Sequence, residues 1–322
     1  MKFTQKNIKY CLLSFDKPTK DHIEMYAKES LCISGLYLWG KIFKGDYNFP
    51  IFSKDTEKYN LIHVNITPSN IPLVSKLLPM VNRNITKLIF NVDHSVDLWQ
   101  NTFMYPHLLL ETLDKADYVF GVEENMCEIL TNSLKRNVPC IPHPVEINKI
   151  KEYSHFDRDQ RIGVSIHRYT GNYLLPWYAI KDIPDGWITS AIGANSGDFH
   201  PKIHHLYPEV QERLAFKELM KYVSTLYAMV ESYNISSYGR LTAECAALAV
   251  PVVGCGMVGS QKRCFPKLTI DYFEPIKIGK LLNKLINDVD FWTECVKEAV
   301  KECAYYSVEN SEKRMLNFLN KE

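Results

Sequence analysis

Two doubly wound α/β domains are the fold this sequence predicts, on three observations. Short apolar runs alternate with helix-forming stretches through both halves of the chain. At 322 residues the chain is longer than one core usually serves, which argues for two domains of about 150 residues each. The stretch from Tyr238 to Gly254 reads as one helix-to-strand unit. Helix formers run from Leu241 to Leu248, Pro251 blocks continuation, and Val252-Val253 forms a buried strand ended by Gly254.

In the first half, Ile8 to Phe15 is the first expected strand, and Asp21 to Glu29 has helical composition. Ser34 to Gly40 reads as a loop entering a helix. Leu61 to Asn65 is a strand leading into a loop with Pro68 and Ser69, and Ile71 to Val81 follows as a helix. Lys87 to Val92 is a strand ending at Asp93-His94. A helix over Leu108 to Lys115 leads to Asp117 to Val122, a near-continuous apolar run typical of buried parallel strands, and a further helix starts from Glu123. Ligands of such sheets lie beyond the carboxyl ends of the strands, which places Asn65, Asp93 and His94 near a cleft.

The second half repeats the alternation. Arg161 to Ile166 is a strand with His167-Arg168 at its carboxyl end, and Trp187 to Ile192 is another. A helix from Phe216 to Tyr227 precedes the strand Ala228 to Glu231. The loop from Ser232 to Gly239 then enters the Tyr238 unit. After it, Gly256 to Ser260 offers backbone N–H groups to a phosphate or sugar, with Gly259 retained as a candidate. Phe291 to Cys303 is a helix, and Ser307 caps a last helix that runs to Leu319.

Composition narrows the function classes. Apolar residues make up 46% and charged residues 23%, which excludes bulk disorder, and a net charge of +1 gives no global signal for nucleic acid. Met1 to Lys6 lead directly into a strand rather than a signal peptide, and no apolar run approaches a bilayer span, so a cytoplasmic protein is expected. The nine cysteines include no pair with two intervening residues and read as reduced, mostly buried thiols. His200, His204 and His205 fall in an expected loop without an acidic partner at fixed spacing, and no Asp-x-Asp motif stands at a strand end, so no metal site is expected.

Two residues carry chemistry by local pattern. Glu244, expected in the first turn of its helix, is favoured there by the helix dipole and can accept two ribose hydroxyls. Arg168 at a strand end can bind a diphosphate with its planar fork and stabilise a leaving group.

The stretch from Tyr238 to Gly254 resembles the nucleotide-binding segment of the family-4 type glycosyltransferases of the GT-B fold. In these, a Glu, seven residues and a second Glu precede an Ala-rich helix and a Pro-Val-Val strand. Glu244 matches the second Glu; the first falls on Ser236, and Ser236-Ser237-Tyr238-Gly239 stands where the family has Glu, any residue, Phe and Gly. Ala116 to Val122, the helix from Glu123, and Pro142-His143-Pro144-Val145 are similar to the end of the family's acceptor domain. Arg168 matches a family Arg that is followed five residues later by a Lys, here Tyr173.

The resemblance implies two Rossmann-like domains facing across a cleft, with residues 1–152 on the acceptor side, 153–304 binding the donor, and 305–322 as a helix crossing back. It implies transfer of a hexosyl group from a nucleotide-sugar donor, which is substrate and not cofactor, with retention and without metal. The acceptor is left open among a glycan, a small molecule and a modified nucleic acid. Catalytic roles fall on Asp93, His94 and Arg168, and donor contacts on Arg168, Ser236, Ser237, Tyr238, Gly239, Arg240, Glu244 and Gly259. Two other readings stay open: a sugar-nucleotide epimerase of the same fold, and a degenerate, non-catalytic nucleotide-sugar-binding protein, which Ser236 favours.

Overall fold

Every strand pairing between the described strands is parallel, in one five-stranded and one six-stranded sheet. The computed structural model describes residues 2–13, 35–48, 54–93, 99, 106–155, 157–166, 174–194, 203–212, 214–233 and 235–321. The chain divides into two units, one of Met1–Val145, Ser236–Tyr238 and Tyr306–Glu322, the other of Glu146–Ile235 and Gly239–Tyr305.

The first unit runs β1 (Tyr10–Leu13), α1 (Gly35–Ile42), β2 (Asp46–Asn48), β3 (Leu61–Ile66), α2 (Ile71–Leu77), β4 (Lys87–Val92), α3 (Pro106–Asp114), β5 (Tyr118–Gly121) and α4 (Glu124–Leu134). Its sheet order is β2-β1-β3-β4-β5. Alternate residues face opposite sides, so each strand feeds two cores. Cys11, Ile62, Val64, Leu88, Phe90 and Val119 pack with Val74, Leu113 and Leu130 of the helices on one side. Tyr10, Leu12, Leu61, Ile89 and Phe120 pack with Leu38 and Trp39 on the other.

That second face is closed by the C-terminal helix, through Met315 and Leu319. Asn320 ties the helix to the chain start, accepting from Phe3 N at 2.7 Å and donating to Phe3 O at 2.8 Å. The expected helix over Ile71 to Val81 divides, because Pro79 lacks the N–H an α-helix needs; a 3-10 turn takes over at Leu78–Met80.

The second unit runs α5 (Ile147–Lys151), β6 (Asp159–Ser165), α6 (Leu174–Ile180), β7 (Ile188–Ala194), α7 (Ile203–Leu206), β8 (Glu209–Glu212), α8 (Phe216–Thr225), β9 (Leu226–Glu231), α9 (Arg240–Ala247), β10 (Val252–Cys255), α10 (Gly259–Cys264), β11 (Thr269–Ile270), α11 (Pro275–Asn287) and α12 (Val289–Glu302). Helix α13 (Val308–Leu319) is the one that returns to the first unit. The sheet order is β11-β10-β9-β6-β7-β8. Strands β2, β8 and β11 and helices α5, α6, α7, α10 and α11 were not expected from the sequence, and α7 carries His204 and His205, which were expected in a loop. The strands are short and partly polar, whereas α11 carries Ile278, Leu282 and Leu285 at readable helical spacing.

Small residues let this unit close tightly. A Cβ at Gly163 would lie 2.5 Å from Leu226 Cδ1 and 2.7 Å from Ile192 Cδ1, and one at Gly279 of α11 would lie 2.8 Å from Ala179 O of α6. Arg158 gathers backbone oxygens, donating to Ser224 O, to Leu248 O at 2.7 Å and to Ala249 O at 3.3 Å. Burial lowers its pKa to about 10, and the guanidinium stays charged at neutral pH. Among the described residues no helix is long and apolar enough to cross a membrane.

Candidate functional site

In the second sheet the chain first winds one way, from β6 to β8, and then returns to lay β9 beside β6. Open α/β sheets bind ligands at the carboxyl edge of such a reversal. Ser165 and Glu231 end the two strands there and stand opposite each other in register. Both are buried, and Ser232 Oγ donates to Ser165 O. Glu231 accepts from Tyr233 N at 3.1 Å. An acid closing the apolar strand Leu226–Glu231 was the available signal for this residue, and the sequence reading passed over it.

Two helices start at this edge. Gly239 caps α9 in the left-handed region, at φ 75°, and a Cβ there would overlap Ser260 Oγ and Val258 Cγ1. Ser260 Oγ donates to Gly239 O at 2.6 Å, so the start of α9 is bound to α10, whose first residue is Gly259. The N–H groups and positive dipole end of α9 suit an anion.

Glu244 is placed differently from expectation. Gly239 lets the helix begin at Arg240, so Glu244 lies fifth, in the second turn, and is 3% exposed. Its charge is met by a side chain rather than by the helix terminus: Arg240 Nε donates to Glu244 Oε1 at 2.6 Å. Burial raises the Glu244 pKa, and the charge and hydrogen bond of Arg240 oppose the rise. Arg240 also lies over the Phe216 ring, 5.3 Å from its centroid.

Ser236 and Tyr238 pack in the first unit. Ser236 Oγ donates to Glu123 Oε1 at 2.8 Å and accepts from Asn125 Nδ2 at 2.5 Å. Glu123 is itself the cap of α4, accepting from Asn125 N at 2.8 Å and Met126 N at 2.9 Å. Tyr238 packs on the second core and sets its ring edge-on to His143, with centroids 5.8 Å apart. Ser237 between them is half-buried.

At the carboxyl edge of the first sheet, Asp93 follows β4. Its N–H donates to Ile66 O at 3.0 Å, and its carbonyl accepts from Trp99 Nε1 at 2.7 Å. His143, buried, brings Nε2 to 3.6 Å from Asp93 Oδ2, while its Nδ1 accepts from Trp39 Nε1 at 3.1 Å. In the sequence His143 stood out only through the resemblance of Pro142-His143-Pro144-Val145 to the end of the family's acceptor domain. His94 and Arg168 lie outside the described residues, as does Tyr173.

Behind this edge runs a buried polar chain. Tyr10 OH donates to His63 Nδ1 at 2.5 Å, His63 Nε2 donates to Asn91 Oδ1 at 2.7 Å, and Asn91 Nδ2 donates to Asn65 Oδ1 at 2.6 Å. Burial pushes the His63 pKa down to about 3, against the Asn91 hydrogen bond, with His143 lowering it further. The imidazole is neutral, as this donor order requires. Among the described residues no group of three or more His, Cys, Asp or Glu is placed to hold a metal ion.

No protein-family model matches the chain, and no curated protein matches it by sequence. Solved structures do. Anabaena HepE in complex with UDP matches with a TM-score of 0.73 at 12% identity, over 98% of this chain and 100% of HepE. Trehalose-6-phosphate synthase OtsA matches with 0.66 at 11%, over 95% and 78%. An E. coli structure bound with UDP-2-fluoro glucose matches with 0.65 at 12%, over 96% and 84%. The fold is the GT-B glycosyltransferase fold.

Proposed function

We propose that this protein is a glycosyltransferase that moves a hexosyl group from a nucleotide-sugar donor to a hydroxyl-bearing acceptor. The observation that supports it most is the likeness over essentially the whole chain to HepE, which was solved with UDP-glucose. In this reading the second unit holds the donor. Glu244 Oε2 accepts ribose hydroxyls while Oε1 keeps Arg240, and the N–H groups at Gly239 and Arg240 face the diphosphate with Gly259 nearby.

Arg168 stabilises the diphosphate as charge develops on the leaving group, and His94 and Asp93 address the transferred sugar and the acceptor. Transfer proceeds with retention, and fixed cations and amide dipoles carry the diphosphate charge without a metal. The test is release of UDP from UDP-glucose in the presence of a chelator, against a panel of other nucleotide sugars. Turnover that is lost on chelation and restored by Mg²⁺ contradicts the metal-free mechanism; absence of both binding and turnover with every donor contradicts the function.

A second reading has its own observation. Ser236 stands where the resemblance puts a donor-binding Glu, and its hydroxyl is engaged by Glu123 and Asn125. A protein that binds nucleotide sugar without transferring it fits that engagement. Binding without measurable UDP release separates it from the first.

A further inference from the structure

The imidazole of His143 has a determined proton position. An indole N–H only donates, so the bond from Trp39 Nε1 makes His143 Nδ1 an acceptor, and the neutral ring carries its hydrogen on Nε2. Nε2 is buried and has no hydrogen-bond partner among the described residues. A buried donor left so is costly unless it completes a bond at some stage of function. Asp93 Oδ2 lies 3.6 Å from it, just beyond hydrogen-bond length.

Both partners are built into fixed backbone. Asp93 is pinned through its N–H and its carbonyl, which hold its Cα in place. His143 is seated against Gly35, the first residue of α1, where a Cβ would lie 2.6 Å from His143 Cβ and 2.9 Å from Pro144 O. Tyr238 covers the ring edge. Trp39, on the same helix as Gly35, is fully buried and stacks on Phe43 at 6.3 Å.

We infer that His143 is a positioning residue for Asp93: its Nε2–H donates to the Asp93 carboxylate when the carboxylate turns to accept the hydrogen bond of an acceptor hydroxyl. Trp39 enforces the tautomer that makes this possible. The inference rests on the transferase reading for the identity of the hydroxyl, and on the geometry alone for the His143–Asp93 pair. No proton leaves any group in this step; the histidine fixes the carboxylate, and the carboxylate fixes the hydroxyl.

The test has two arms on the full chain. In the first, ¹⁵N-histidine labelling reads the tautomer, with His143 assigned from the signals lost in His143→Gln. The expected result is a hydrogen on Nε2, an Nε2 resonance that moves in Asp93→Asn more than those of the other histidines, and loss of the single tautomer in Trp39→Phe. A hydrogen on Nδ1, or an Nε2 resonance indifferent to Asp93→Asn, overturns the pair.

In the second arm, UDP release from UDP-glucose is followed with water in the acceptor's place. His143→Phe, His143→Gln and Asp93→Asn are each expected to lower kcat by roughly 10- to 100-fold with KM unchanged, and the double variant to fall no further than Asp93→Asn alone. Losses that multiply in the double variant, or an unimpaired His143→Phe, overturn the positioning role. If the wild type neither binds UDP nor releases it, the transferase reading fails and with it the acceptor role, while the first arm still decides whether the two side chains are coupled.

Discussion

The two sheets solve the same problem of a fully buried parallel layer in different ways. The first threads a chain of side-chain hydrogen bonds through its interior, from Tyr10 through His63 and Asn91 to Asn65. The second lines its central strands, β6 and β9, with small and aliphatic residues, among them Gly163, Val164, Ala228 and Val230. The consequence appears at their carboxyl edges. The first edge presents side chains, Asp93 and His143; the second presents backbone, at Gly239, held by a bond from Ser260 Oγ. Side-chain networks hold a hydroxyl or carboxylate in a chosen orientation, while a close-packed glycine turn brings helix N–H groups to an anion.

The largest expected effect breaks the first sheet's network. His63→Phe keeps the volume but takes the imidazole away from the buried Tyr10 OH and Asn91 Oδ1, at about 1–3 kcal/mol for each lost bond, so denaturant unfolding should show a loss of about 4 kcal/mol. The second-largest breaks the backbone-built edge. Gly239→Ala places a Cβ into Ser260 and Val258 at a positive φ, and strain plus overpacking should cost about 3 kcal/mol. A Gly239→Ala variant of wild-type stability would show that this turn is not close-packed.

Acid sharpens the contrast without any mutation. The folded-state pKa of His63, about 3, lies below its unfolded value of 6.5, so the unfolded chain takes the proton first. The stability tied to the neutral ring is complete above pH 6.5 and declines as pH falls towards 3, by about 2 kcal/mol at pH 5. Chemical denaturation of wild type and His63→Phe at pH 7 and pH 5 checks this: the gap between them should narrow by that amount. A gap that stays constant would mean His63 is not held neutral.

The smallest effect concerns the segment that belongs to the first unit although it lies between two stretches of the second. Ser236→Ala removes one donor from Glu123 and one acceptor from Asn125, and should destabilise the protein by about 1 kcal/mol. Nucleotide affinity should not change. A Ser236→Ala variant of unchanged stability but weakened nucleotide binding would move Ser236 from the cap of α4 to the donor.

Much of the architecture was legible because apolar runs and breakers are local signals. Strand β4 has the bounds read from the sequence, and Ser307 caps its helix by accepting from Asn310 N at 3.2 Å. Helix α11 was legible too, from Ile278, Leu282 and Leu285, but was not read. The site was less legible because its determinants are long-range. The helix start at Glu123 was legible, but nothing near it announces that Glu123 holds Ser236 from 113 positions away. His143 and Trp39 meet across 104 positions, and Glu244 shifted into the second turn because Gly239 adopts a left-handed backbone that composition does not specify.

Calorimetric titration with UDP tests the central claim, that the backbone-built edge binds the nucleotide and the side-chain-built edge does not. Wild type should bind UDP in the presence of a chelator, Glu244→Gln should bind at least about tenfold more weakly by losing a charged acceptor for the ribose, and Asp93→Asn should bind as wild type does. UDP that fails to bind the wild type, or that binds Glu244→Gln normally and Asp93→Asn poorly, would contradict it.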